Sequence, residues 1–368
     1  MKTLDCRVCE LPSNILVRGV NWVGDTVMTL PAMKALREIF PSAHLTFWAP
    51  AYLESLLRVS KIPDDIIVIP PRLNKLTRPL RMKSVLQKKN FDLALLFQNA
   101  FESALTVWMA GIPLRFGYPT DARGPLLNVK ASLTKEIRRQ HQVYYYLQLV
   151  KYLGAYFGLT QKFFFQQPDC SIFLSRQLKQ ESLLLLSSYL SDLDSRPVVC
   201  LCPGSVNSEA KRWPPDYFMD LARLLTAGLN ASIIFMGTAS EREMIENIMA
   251  PLKRENIVNL AGETDIEKTL GVMSVSNLVI SNDTGSAHLA VAAGSRVLTI
   301  FGPTIPGATA PFGPGAEIIT GKSDCSPCRR FSCPLPDHPC MRSIKPDDVF
   351  DRASTMIEHN RNIHGPLS

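Results

Sequence analysis

Short aliphatic and β-branched runs alternate along this chain with stretches whose apolar residues recur every three or four positions. That alternation is the mark of strand–helix units feeding a parallel sheet. In the first half, Ile15–Val20, Leu45–Trp48, Ile66–Ile69 and Leu93–Phe97 predict strands. Ala32–Ile39, Glu102–Ala110 and Gln142–Leu153 predict helices, and the leucine-rich Arg176–Leu190 predicts a helix that closes this half. The polar stretch Ser191–Pro197 reads as a linker. The pattern then restarts, with strands expected at Val198–Leu201, Ser232–Met236, Ile257–Leu260, Leu278–Ser281 and Val297–Phe301. Helices are expected at Pro215–Thr226, Glu241–Leu252, Ile266–Val275 and Ser286–Ala293. The architecture repeats but the sequence does not. The fold class is α/β, with two Rossmann-like doubly wound domains at 1–190 and 191–345 and a last helix within 346–368, at Pro346–His359. Such sheets bind ligands outside the carboxyl ends of their strands, so the two domains are expected to face a central cleft.

The length of 368 residues agrees with two domains. An apolar fraction of 46% and a charged fraction of 20% are near globular averages and exclude disordered, collagenous and coiled-coil chains. No apolar run reaches the ~18–20 residues that cross a bilayer, and Met1–Pro12 lacks the basic-then-apolar pattern of a signal peptide. A soluble, cytosolic protein is expected. The net charge of +7 is too mild to imply nucleic acid, but its placement changes the picture. Between Pro70 and Asn90 stand Arg72, Lys75, Arg78, Arg81, Lys83, Lys88 and Lys89, with no acid among them. The stretch reads as a loop leading into an amphipathic helix with Leu80, Met82, Val85 and Leu86 as its apolar positions. One reading is a solvated helix face. The other is a surface for anionic headgroups or an anionic acceptor, where each cation near an anionic membrane contributes ~1 kcal/mol. Aromatic residues do not interleave with these charges, which disfavours single-stranded nucleic acid.

Four loops after predicted strands carry unusual chemistry. Gly19-Val20-Asn21-Trp22-Val23-Gly24-Asp25 joins a strand to a helix but is not the dinucleotide glycine fingerprint. Pro31 is best tolerated in a first helical turn, so regular helix is expected from about Met28, with Asp25 just ahead of it. Asp25 is then either a helix cap or a general base. Pro203-Gly204-Ser205 lets a ligand approach the backbone, and Lys211, beside Arg212, Trp213 and Pro214, adds a positive charge. Lys211 reads otherwise as an ordinary surface lysine. In Gly237-Thr238-Ala239-Ser240-Glu241, Ser240 is a candidate cap with Glu243 at capping-box spacing. Glu241 either favours a helix start or binds ribose hydroxyls. Ser281-Asn282-Asp283-Thr284-Gly285-Ser286-Ala287-His288 runs from a buried strand through small residues into a helix, a setting suited to a diphosphate. His288 reads as a structural histidine or as a ligand contact.

Read together, these stretches resemble the lipopolysaccharide heptosyltransferases of glycosyltransferase family nine. The resemblance runs from about Asn14 to about Val349. It is carried by Ile15-Leu16-Val17-Arg18 through Asp25, Pro31, Ala35-Leu36-Arg37 and Arg115-Phe116-Gly117-Tyr118. It continues through Pro203-Gly204-Ser205, Lys211-Arg212-Trp213-Pro214, Asn282-Asp283-Thr284-Gly285 with His288, and Phe301-Gly302-Pro303-Thr304. The form Asn21-Trp22-Val23-Gly24-Asp25 is most similar to the branch that adds the second inner-core heptose. The resemblance implies a GT-B fold and an inverting transfer of heptose from ADP-L-glycero-β-D-manno-heptose to the Kdo-lipid A inner core bearing one heptose. It implies Asp25 as general base and Lys211 on the diphosphate. Glu241 would hold the ribose, and Gly204, Ser205, Asp283, Thr284, Gly285 and His288 would belong to the donor site. The basic stretch becomes a face for the acceptor or the inner-membrane surface. No required cofactor, a monomer with no nucleic-acid partner, and a terminal helix packing back across the domains are likewise expected. Another heptosyltransferase type, a different sugar nucleotide, and a non-catalytic glycan- or nucleotide-binding protein are the competing readings.

Cys325-x2-Cys328-x4-Cys333-x6-Cys340 leaves three states open: a structural zinc site, one or two disulfides, or reduced thiols. Cys6-x2-Cys9 reads as reduced thiols.

Overall fold

The computed structural model describes residues 10–70, 77–159, 167–252 and 255–364. The chain divides into two units after Cys170. In the first, β1 (Asn14–Arg18), β2 (His44–Pro50), β3 (Asp65–Ile69), β4 (Leu93–Leu96), β5 (Leu114–Gly117) and β6 (Val129–Lys130) form a parallel sheet in the order β3-β2-β1-β4-β5-β6. In the second, β7 (Val198–Cys202), β8 (Ser232–Phe235), β9 (Ile257–Asn259), β10 (Leu278–Asn282), β11 (Val297–Phe301) and β12 (Ala316–Thr320) are parallel in the order β12-β11-β10-β7-β8-β9. Counted from its own first strand, each sheet has the doubly wound order 3-2-1-4-5-6. The winding reverses between β1 and β4 and between β7 and β10, and loops leaving neighbouring strands there part to open a crevice.

The central strands owe their place to composition. Ile15, Leu16 and Val17 of β1 and all of β7 and β10 are buried, and Ile15–Val17, Val198–Cys202 and Leu278–Ile280 are the apolar runs required of strands covered on both faces. The first unit's helices are α1 (Val23–Ile39), α2 (Glu54–Ser60), α3 (Arg78–Gln87), α4 (Phe101–Met109), α5 (Lys135–Arg139) and α6 (Gln142–Tyr156). Those of the second are α7 (Arg176–Ser187), α8 (Pro215–Leu229), α9 (Arg242–Met249), α10 (Ile266–Ser274), α11 (Gly285–Ala292), α12 (Pro306–Thr309), α13 (Pro339–Arg342) and α14 (Pro346–His364).

Three features differ from the sequence expectation. Helix α1 starts at Val23, so Asp25 lies inside its first turn and Pro31 inside the helix. An interior proline costs ~3 kcal/mol. Here the helix is held by burial of Val27, Met28, Leu30, Met33, Leu36 and Ile39 and by packing on α6, and tertiary burial outweighs the local penalty. Helix α7 belongs to the second unit, so the division falls at Cys170 rather than at 190. It packs on α10, where a Cβ on Gly271 would collide with Ser182 and Leu178, and the preceding Ile172 N–H donates to the Ala292 carbonyl at 2.7 Å. The terminal helix α14, which the sequence set apart, is part of the second unit's core. Val349, Ala353, Met356 and Ile357 are buried in it, and α14 crosses α8 where Phe350 fills the space left by Gly228.

Candidate functional site

The second unit's crevice is built by one buried amide. Asn282, the last residue of β10, accepts the Trp213 N–H at 3.0 Å and donates to the Pro203 carbonyl at 2.7 Å. It ties the loop leaving β7 to the turn carrying Lys211 at the point where the winding reverses. Lys211 ends a short 3-10 turn, Glu209–Lys211. Its Nζ lies 2.8 Å from Asp283 Oδ2 and 3.2 Å from the Asp283 carbonyl. Asp283 is only 5% exposed at its side chain while Lys211 is 28% exposed, so the ammonium is the accessible member of the pair. Thr304 Oγ1 donates to the same Asp283 oxygen at 2.7 Å. Arg212 turns back on the loop and donates to the buried Ser205 carbonyl at 3.2 and 3.0 Å. Trp213 is a core residue, with its ring 5.0 Å from that of Phe218. Thr284 caps α11 in extended conformation, so the amides of Gly285, Ser286 and Ala287 open the helix beside Asp283, and His288 is buried in the same turn.

The carboxylate of Glu241 lies in this crevice. Its Oε2 accepts the Thr238 N–H at 2.8 Å and the Thr238 hydroxyl at 3.0 Å, so the capping box is Thr238–Glu241 rather than Ser240–Glu243. A Cβ on Gly204 would overlap the Glu241 carboxylate, and one on Gly237 would press on it. Glycine at 204 is therefore required by Glu241, where the sequence suggested a ligand. Oε1 accepts no hydrogen bond from any described residue. Of the donor-site candidates, Gly204, Ser205, Lys211, Glu241, Asp283 and Thr284 lie on the connections that leave β7, β8 and β10, and Gly285 and His288 lie in the first turns of α11.

In the first unit, Asp25 is half-buried in the first turn of α1, and the cap position is held by Trp22. Tyr146 of α6 lies near it: burial, and then the Asp25 charge, push its phenol well above the ordinary value. The turn before Asp25 is organised by Arg18, which the sequence named only as part of a motif. Arg18 is buried, stacks 4.8 Å above the Trp48 ring, and donates to Asn21 Oδ1 at 2.9 Å and to the Trp48 carbonyl at 3.2 Å. Tyr52 holds Asn21 from the other side through its carbonyl. Burial brings Arg18 down to about 9, partly offset by the Glu102 charge. Arg123 is also buried and donates to the Tyr118 carbonyl at 2.9 Å and to Asn99 Oδ1 at 2.8 Å, beyond the end of β4.

Of the basic cluster, Arg72 and Lys75 lie outside the described residues, as do Cys6 and Cys9. Arg78 pairs with Glu102 at 3.4 Å and Lys89 with Asp65 at 2.6 Å. Arg81, Lys83 and Lys88 make no ion pair with a described residue. Met82 and Leu86 are the buried face of α3, whereas Leu80 and Val85 are 60% and 42% exposed.

The four clustered cysteines are free thiols that run from exposed Cys325 through half-buried Cys328 and Cys333 to buried Cys340. Burial, and then the other three sulfurs, raise the Cys340 thiol to about 11. Among the described residues no three His, Cys, Asp or Glu side chains are arranged to hold a metal.

No described helix is long and apolar enough to cross a membrane. The family model described as glycosyltransferase family 9 (heptosyltransferase) matches residues 80–338. Lipopolysaccharide heptosyltransferase 2 of Salmonella typhimurium is 28% identical over 352 residues, covering 93% of this chain and 98% of that protein. Lipooligosaccharide heptosyltransferase 2 of Campylobacter jejuni is 26% identical over 349 residues, covering 94% and 99%. The structure of the E. coli ADP-heptose lipopolysaccharide heptosyltransferase II matches with a TM-score of 0.80 at 26% identity, covering 95% of this chain and 99% of that one. The matched segment holds Lys211, Glu241, Asp283 and His288 together with both strands of the second crevice, and the chain belongs to glycosyltransferase family 9, the heptosyltransferase family.

Proposed function

We propose that this chain is an inverting heptosyltransferase of the second type. It moves L-glycero-D-manno-heptose from ADP-heptose to the Kdo-lipid A inner core that already bears one heptose. The observation that carries the reading is the convergence of Lys211, Asp283, the amides that open α11, and Glu241 at the β7/β10 reversal. A cation and the Gly285 and Ser286 amides at the helix end suit a diphosphate, and the Glu241 oxygen left open suits ribose hydroxyls.

Inversion requires one displacement. The acceptor oxygen bonds to the anomeric carbon as the bond from that carbon to the β-phosphate oxygen breaks. The hydroxyl proton passes to the Asp25 carboxylate, and the electron pair leaves with ADP. The added negative charge on the diphosphate is met by Lys211 and by the amides of Gly285 and Ser286, which are in place before the bond breaks. With ADP-heptose as donor, turnover is expected on the acceptor carrying one heptose and not on those carrying none or two. Turnover on the heptose-free acceptor would reassign the type, and none on any would overturn the reading.

The exposed face of α3 is proposed to meet the anionic inner core and the membrane surface that holds it, with the chain acting as a monomer at the cytoplasmic side of the inner membrane. Arg81, Lys83 and Lys88 are available for this, and Leu80 and Val85 add apolar contact. At ~1 kcal/mol each, changing the three cations to Gln is expected to weaken binding to anionic vesicles by about 100-fold at low salt and to raise the acceptor KM. Unchanged values of both would reject this face.

A further inference from the structure

The cysteine-rich segment has no part in the chemistry above, yet it contacts the turn that carries Lys211 directly. The turn Glu209–Lys211 is too short to satisfy its own backbone. Both polar groups of the buried Ala210 are met from the segment. Its N–H donates to the Phe331 carbonyl at 3.0 Å, and its carbonyl accepts from His338 Nε2 at 2.8 Å. Ser208 Oγ reaches the same Phe331 carbonyl at 3.0 Å. The segment also holds the other arm of the Asp283 pair. Ser326 Oγ donates to the Gly302 carbonyl at 2.5 Å and the Arg329 N–H to the Pro303 carbonyl at 2.8 Å, fixing the strand end that presents Thr304. The His338 backbone is in the left-handed region, at φ 42° and ψ 58°, which costs a residue with a Cβ. It is held there by the Met341 and Arg342 N–H groups, both donating to its carbonyl at 3.1 Å.

We infer that His338 is a positioning residue for Lys211: with the Phe331 carbonyl, its ring fixes the turn from which the ammonium reaches the donor diphosphate. The inference rests on the donor-site reading of Lys211. The lysine stem is flexible, so Asp283 can aim Nζ only while the turn keeps the Lys211 backbone within reach of that carboxylate, and the hold on residue 210 keeps it there. The ring N–H of His338 is the one side-chain donor that the Ala210 carbonyl receives among the described residues. The segment is thus a clamp on the donor loops.

The test uses the full chain, with ADP titrated calorimetrically and steady-state kinetics run alongside. His338→Ala is expected to weaken ADP binding and raise the donor KM by about tenfold, with the acceptor KM within twofold of its starting value. His338→Gln, whose amide reaches the place of Nε2, is expected to recover most of the loss. His338→Asn is polar but too short and is expected to behave as alanine does, which keeps the test intact if the alanine variant does not fold. In a Lys211→Ala background, His338→Ala is expected to add less than about twofold, because two residues acting through one contact are not additive. Full additivity, or an unchanged donor KM in both His338→Ala and His338→Asn, would overturn the inference. If Lys211→Ala alone leaves ADP affinity unchanged, the donor-site reading falls and takes this inference with it. If Lys211→Ala weakens ADP and the His338 variants do not, the positioning role alone is wrong.

Discussion

Alanine at Asp25 is expected to lower kcat by about 10²–10⁴-fold, the range of general-base help, while ADP affinity stays within twofold. The split follows from position. Asp25 stands on the first unit, in the opening turn of α1, and the donor-site candidates stand on the second. Its removal therefore takes away a proton acceptor and leaves the nucleotide's contacts intact. Trp22 holds the cap position of α1 in extended conformation, and the helix is held by the burial of its apolar face. The favourable placing of an anion near a helix N-terminus contributes ~0.3–1 kcal/mol, a share worth a few degrees in Tm at most. Asp25→Asn keeps the shape and removes the basicity. It is expected to match the alanine variant in initial rate and, since it too removes the anion, to melt no more than a few degrees below the unsubstituted protein. Either variant turning over at an undiminished rate would remove Asp25 from the reaction. A matching loss of ADP affinity would instead make it a binding residue.

How far the sequence reaches depends on how locally each feature is determined. Strands β1, β7 and β10 are built on apolar runs, Ile15–Val17, Val198–Cys202 and Leu278–Ile280, whose burial on both faces makes them legible. The loops that follow them were legible for the same reason, because Gly, Ser, Asp and Lys placed after such a run have few structural uses. Three strands were missed. β6 has two residues, β5 has four with Arg115 among them, and β12 is a half-exposed edge strand containing Glu317. The start of α1 was misplaced because Pro31 argues locally for a helix beginning and tertiary packing overrules it. At Thr238–Glu243 two overlapping pairs have capping-box spacing, and what selects the first is the Glu241 carboxylate lying against Gly204, which comes from another strand's loop. Asn282 was visible in its motif but its task was not, since its partners stand 69 and 79 residues away. The ownership of α7 was hidden likewise: a polar linker follows it, but the groove for its apolar face is made by Gly271.

Removing the Lys211 ammonium is expected to do more than subtract one contact, because Asp283 stays behind. Oxyanion-type stabilisation of a leaving group is worth ~10²–10³-fold in rate, and Lys211→Ala is expected to lower kcat by that amount. The buried Asp283 carboxylate would then keep Thr304 as its partner and face the incoming diphosphate with its charge uncompensated. Two like charges in a poorly hydrated crevice repel strongly, so ADP affinity is expected to fall further than the loss of one cation explains. Asp283→Asn on its own leaves Thr304 an amide oxygen to donate to and frees Lys211 toward the phosphates. That variant is expected to bind ADP at least as well as the unsubstituted protein while losing rate, because the ammonium is no longer aimed. The double variant Lys211→Ala/Asp283→Asn lacks the repulsion and is expected to bind ADP about tenfold more tightly than Lys211→Ala alone, a coupling within the ~0.5–3 kcal/mol range of contacting residues. Calorimetric titration of the four proteins with ADP closes this cycle. If the double variant binds no better than Lys211→Ala, Asp283 does not face the diphosphate, and its pairing with Lys211 is a fold contact alone. If it recovers affinity without recovering rate, the pair divides its work: the carboxylate aims the ammonium, and the ammonium carries the charge of the departing nucleotide.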